Sequence, residues 1–173
     1  MRGTFQTFLE LDIDKSVIGL QPCGEEDVYF CTPLDAVLIG ALGVDGVHFC
    51  FIPSLHQPLD LEAGCVYAVS PMNADKFVYP VASNFIEFLS LVVACRDASP
   101  LELVSNTSLE TFNEIIISSE DIPRKVESLN ALTSQFELLH IPSPYDLIKS
   151  VQEGFNHSII PTSDEYADVL GRD

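Results

Sequence analysis

GVHFCFIPSLHQPLDLEAGCVYAVSPMNADKFVYPVASNFIEFLSLVVACR, residues 46–96, combines the densest apolar content of the chain with its clearest punctuation. Val47 to Ile52 is β-branched and aromatic and stops at Pro53, which is the composition and the ending of a strand. In a strand, Val47, Phe49 and Phe51 point one way and His48, Cys50 and Ile52 the other. Both sets are mostly apolar, which predicts a central strand covered on both faces. Cys65 to Ser70 has the same character, ends at Pro71, and is the natural antiparallel partner. The connection between them, Ser54 to Gly64, is too long for a tight hairpin. After a polar turn from Met72 to Lys76, a third run begins at Phe77.

A helix is predicted over 83–96. Ser83 or Asn84 can cap it, and Asn84-x-x-Glu87 has the spacing of a capping box. Phe85, Phe88, Leu89 and Val92 recur at i, i+3, i+4 and i+7, which is one helix face. Leu91, Val93 and Cys95 widen that face, so the helix is expected to be buried on more than one side. Arg96 complements the C-terminal dipole, and Pro100 prevents simple continuation.

Upstream, Thr4 to Leu11 reads as a short helix or an edge strand, and Val17 to Leu20 as a short strand. Glu25-Glu26-Asp27 is a solvated turn, and Val28-Tyr29-Phe30-Cys31 reads as a strand ended by Thr32-Pro33. Leu34, Val37, Leu38 and Leu42 follow helical spacing after a Thr32 cap with Pro33 at the first position. The β-branched content leaves a strand over 36–40 as the alternative. Gly40, Gly43 and Gly46, with the turn dipeptide Asp45-Gly46, bend the chain into the central strand.

Downstream of residue 97 the pattern becomes helical. Starts are predicted at Ser99-Pro100, at Ser108, over Glu120 to Leu139 and at Ser143-Pro144. Val126, Leu129, Leu132, Phe136 and Leu139 are the expected buried positions of the third, and Tyr145, Ile148, Val151 and Gln152 form the series of the fourth. From Asn156 onward only Tyr166 and Leu170 stand out, and that end is expected to fray. The fold class is therefore α+β. An antiparallel sheet from 28–31, 47–52, 65–70 and 77–81 packs against the 83–96 helix. The expected organisation is an α+β core over 1–98 with a helical extension over 99–173 on the same domain.

The chain has 173 residues, 47 % hydrophobic, so a sizeable core can form. The formal charge is −18, with 13 acids and 4 bases in residues 1–100 and the same numbers in 101–173. An evenly acidic surface argues against nucleic acid and anionic membrane and suits a basic protein partner, or solubility alone. Met1-Arg2 is followed by mixed residues rather than an apolar segment, so no signal peptide is expected. No apolar run approaches the roughly 18 residues of a membrane span. Five cysteines without CxxC spacing read as free, mostly buried thiols in a cytoplasmic protein.

Asp45-Gly46-Val47-His48-Phe49, the strand at Val66–Val69, and then Pro80-Val81-Ala82-Ser83-Asn84-Phe85-x-x-Phe88-Leu89 together resemble the SUKH superfamily. The resemblance covers about residues 28–96. The family's N-terminal leucine-proline-x-x-tyrosine pattern and its asparagine-glycine-glycine turn are missing here, and the helical C-terminus is additional. The resemblance implies an α+β domain that binds other proteins, commonly as a bacterial immunity protein that neutralises a secreted toxin, with no catalytic residue to carry over.

Candidate chemistry is sparse. His48 and Cys50 share a strand face, and with His56 or Cys65 could ligate zinc, but the recognisable spacing of three or four ligands is missing. Asp45, His48 and Cys50 would make a nucleophile set only if Asp45 oriented the base, and nothing in the sequence places it there. No G-x-S-x-G, H-E-x-x-H or phosphate loop occurs. The expectation is thus no catalytic residue, no metal and no cofactor. Met72, Asn73 and Asp75 in the loop before Phe77, with Glu25, Glu26 and Asp27, are the candidate partner-binding residues, because binding residues favour loops on rigid scaffolds. The rival readings are a small enzyme using the His48/Cys50 face and a structural or regulatory subunit.

Overall fold

The computed structural model describes residues 3–56, 60–73 and 76–169. Among them, four strands form one antiparallel sheet in sequence order: β1 (Val37–Ala41), β2 (His48–Phe51), β3 (Val66–Val69) and β4 (Val78–Ala82). The α+β class is as the sequence indicates. In register, His48 faces Ala41 on one side and Val69 on the other, and Val69 faces Val78. The β1–β2 and β3–β4 connections therefore leave the sheet at the same end.

The alternation in β2 separates two cores. Phe49 and Phe51 enter the larger one, with Val66, Ala68, Val81 and Ala82. This face is covered by α1 (Thr4–Glu10) and α2 (Phe85–Cys95). Phe88 lies 5.2 Å from Phe49, and Phe5 packs edge-on against Phe51 and Phe85. Asn84 caps α2 by accepting the Glu87 N–H at 2.9 Å, while the Glu87 carboxylate accepts the Ser83 N–H at 2.7 Å. The predicted capping box thus forms with its return bond one residue earlier. Helix α1 is held from a distance: the Glu62 carboxylate accepts the N–H groups of Thr4 and Phe5 at 2.8 and 2.7 Å.

Helices α3 (Ser99–Leu103), α4 (Leu109–Ser118), α5 (Pro123–Gln135) and α6 (Pro144–Gln152) extend this layer. In α5, which ends at Gln135 rather than reaching Leu139, the buried positions are Lys125, Ser128, Leu129 and Leu132, whereas Val126 and, beyond the helix, Leu139 are exposed, contrary to the apolar spacing. Lys125 replaces them in the core because its ammonium reaches Asp97 at 2.7 Å and Ser119 Oγ at 3.1 Å.

The segment 28–31 is not a strand. Thr32 donates its N–H to the Tyr29 carbonyl, and its hydroxyl accepts the Tyr29 N–H, both at 2.9 Å, closing a turn that uses up the groups a ladder would need. The edge strand is β1, the alternative left open by its β-branched residues, and no helix forms over Leu34–Leu42. Val17 to Leu20 is likewise not a strand: Lys15–Ile18 is a 3-10 turn capped by Asp14.

The C-terminal segment does not fray over 156–169; Leu170 lies outside the described residues. Phe155, Ile160 and Tyr166 pack on the second sheet face, with Cys50, Tyr67, Val69 and Val78, and α7 (Asp164–Val169) ends it. The segment is tied to the 30–34 loop: Leu34 donates its N–H to Pro161 O at 2.9 Å, and Ser163 donates its hydroxyl to Phe30 O at 3.0 Å.

Candidate functional site

The His48/Cys50 face is occupied by structure. His48 is fully buried. Its Nδ1 lies 2.8 Å from the Gly46 carbonyl, which only accepts, so Nδ1 carries the proton. Nε2 then accepts from the Thr32 hydroxyl at 3.1 Å, and that hydroxyl itself accepts from Tyr29 N–H. Both ring nitrogens are engaged. Burial pushes the His48 pKa down, against the hydrogen bond to Gly46 and the Asp27 charge. Cys50 is also fully buried, and burial pushes its thiol far above the ordinary range. Neither an accessible thiolate nor a free base is presented.

The His56/Cys65 pair is committed in the same way. His56 Nε2 accepts the Cys65 N–H at 3.1 Å and lies 3.3 Å from the Tyr67 hydroxyl. Among the described residues, no three His, Cys, Asp or Glu side chains gather where a metal ion could be held.

A different surface forms at the end of the sheet where both hairpin loops emerge. The 42–47 hairpin turns through Asp45 and Gly46, both with positive φ, at 53° and 69°. A Cβ on Gly46 would sit 2.6 Å from the Tyr29 ring, so glycine is required for Tyr29 to lie against the hairpin. That ring also stacks on His48 at 6.1 Å. The Thr32–His48 bond and this stacking therefore fix the 25–32 segment beside the hairpin. Glu25–Asp27 form a 3-10 turn closed by the Gly24 N–H on Asp27 Oδ2 at 2.8 Å, leaving Glu25 and Glu26 exposed.

Of the residues singled out from sequence, Met72 and Asn73 lie in the β3–β4 loop at this end of the sheet, and Asp27 lines a depression beside the β1–β2 hairpin, with Glu25 and Glu26 in the same 3-10 turn; Asp75 lies outside the described residues. Met72 is 75 % exposed. Asn73 is committed to its own loop: its side-chain amide donates to the Tyr79 hydroxyl at 3.0 Å, and its N–H to Ser70 O at 3.1 Å. The structure adds residues that sequence reasoning missed. Val28, Tyr29 and Val44 are exposed here, and Asp45 stands beside them. Val28 and Tyr29 were hidden by the strand reading of 28–31; the Asp45-Gly46 dipeptide was a usable signal for a loop tip. Glu102 on α3 reaches this end too. Its pKa is raised, first by burial and further by the Asp45 charge, with a hydrogen bond from Ser70 opposing. The surface thus combines exposed apolar side chains with carboxylates, on short loops held by a buried network.

Compared with known proteins, the chain matches no family model, no curated protein and no solved structure. Among the described residues no helix is long and apolar enough to cross a membrane.

Proposed function

We propose that the chain is a non-catalytic protein-binding module that engages a basic partner through the loop end of its sheet. The observation that carries this reading is the grouping of exposed Val28, Tyr29, Val44 and Met72 with Glu25, Glu26 and Asp45 at one end of a rigid scaffold. Apolar anchors ringed by charge are the anatomy of a protein interface, and like-signed charge steers an oppositely charged partner. The engaged nitrogens of His48 and the buried Cys50 thiol favour binding over catalysis. The proposal places the protein in the cytoplasm, where its five free thiols persist. Toxin neutralisation, implied by the SUKH resemblance, is the specific form of this reading.

The test is affinity capture from native lysate at low and moderate salt, then association kinetics on the recovered protein. Replacing Glu25, Glu26 and Asp27 by Gln, Gln and Asn is expected to slow association more than it speeds dissociation, and added salt to slow the unmodified chain. An acidic partner, or an association rate indifferent to salt, contradicts the proposal. Small-molecule turnover that requires Cys50 would replace it with the enzyme reading.

A further inference from the structure

Between the 25–29 segment and the β1–β2 hairpin lies a depression of about 210 Å³, lined among others by Gln21, Asp27, Tyr29, Gly43, Asp45 and Gly46. Ligand pockets for drug-sized molecules run from roughly 300 to 1,000 Å³, so this one suits a single side-chain head group. Its lining includes two aspartates from separate segments, Asp45 and Asp27, the latter with Oδ2 accepting the Gly24 N–H at 2.8 Å, and no lysine, arginine or histidine among the described residues. Tyr29 lines it and is 40 % exposed. Exposed Val44, in the depression's lining, and Met72, on the neighbouring loop, add apolar area at the same end of the sheet.

We propose that this depression receives one arginine side chain of the protein partner, its guanidinium shared between Asp27 and Asp45 beside the Tyr29 ring. The inference rests on the binding reading above and names the group that is read. Charge complementarity selects a cation. Two acceptors on different segments, together with an aromatic ring, favour the planar five-donor guanidinium over the point charge of an ammonium.

The test is titration of the isotope-labelled full chain with acetyl-Gly-Arg-Gly-amide, followed by amide correlation NMR. Parallel peptides carry citrulline, which keeps the shape and loses the charge, or lysine. Saturable shifts confined to the 27–29 and 43–47 amides are expected with the arginine peptide, weaker ones with lysine and none with citrulline. Asp45→Asn should weaken arginine binding about tenfold, the loss of one charge-assisted contact. Asparagine tolerates the positive φ of this position, so the hairpin should persist; unchanged amide positions elsewhere verify that. Tyr29→Leu supplies a second variant, also expected to weaken binding. Equal binding of citrulline, no saturable shift, or indifference to both substitutions overturns the proposal; equal binding of lysine overturns the choice of arginine. The two readings fail separately. Peptides that do not bind, beside a captured partner whose association is salt-sensitive, remove the pocket and keep the surface. Peptides that bind, beside a partner indifferent to salt, do the reverse.

Discussion

Asp97→Ala should be among the most damaging single substitutions in the chain. Lys125 reaches Asp97 across 28 residues, with Nζ 2.7 Å from Oδ2, and the two side chains are only 10 % and 17 % exposed. The other Asp97 oxygen accepts both the N–H and the hydroxyl of Ser99, at 2.9 and 2.6 Å. Removing the carboxylate strands an ammonium in the core with Ser119 Oγ as its remaining hydrogen-bond partner. Breaking a buried pair in this way costs about 3–5 kcal/mol. Total stabilities are only about 5–15 kcal/mol, so the loss is a large share. Lys125→Met should cost less, because Asp97 keeps both bonds from Ser99. The double variant, lacking both charges, should be more stable than Asp97→Ala alone, since no unpaired charge remains. Urea denaturation of all four proteins measures this through the transition midpoints at a common slope. A loss below about 1 kcal/mol for Asp97→Ala, or additive effects in the cycle, would refute a buried, coupled pair.

Phe88→Ala should cost about 3–5 kcal/mol by the same assay, because a fully buried ring against Phe49 and Phe85 leaves a cavity; a loss under about 1 kcal/mol would mean that the ring is not in the core. His48 and His56 both have pKa values lowered by burial, so the unfolded chain takes up their protons first as pH falls. Their contribution is complete above about pH 6.5 and is lost as pH drops toward their native values; denaturation midpoints across this window should fall, with a shallower slope in His48→Gln, and an unchanged slope would contradict the neutral assignment. Burial pushes the thiols of Cys31, Cys23 and Cys95 up to about 11, 12 and 12, so alkylation near neutral pH should be slow in the native protein and reach all five cysteines after unfolding. A mass deficit of two hydrogens would instead reveal a disulfide.

The central part of this fold is legible because its signals are periodic and local. Phe85, Phe88, Leu89 and Val92 keep helical spacing, and β2 alternates between two cores, so pattern alone places both. The 28–31 segment misleads because its β-propensity is real but its backbone groups are taken by the Thr32 side chain and a turn. Lys125 looks like a surface residue until its partner, 28 residues away, is known. The C-terminal segment hides its role because Phe155, Ile160 and Tyr166 follow neither period, being anchors of an irregular chain crossing a sheet. At the candidate site, the acidic turn and the Met72 loop were readable separately. Strand order and register bring the 42–47 hairpin and the Met72 loop to one end, and the Thr32–His48 bond with the Tyr29–His48 stacking brings the acidic turn to them, which no local pattern encodes.

That arrival is the basis of the functional account, and an amide hydrogen-exchange footprint of the chain with its captured partner tests it most directly. The account predicts slowed exchange at 25–29, 42–47 and 70–73, with the remaining surface unchanged. Ile117, Ile122 and Val126 are also exposed, around the α4–α5 connection. Protection there, with the loop end of the sheet unaffected, would contradict the account.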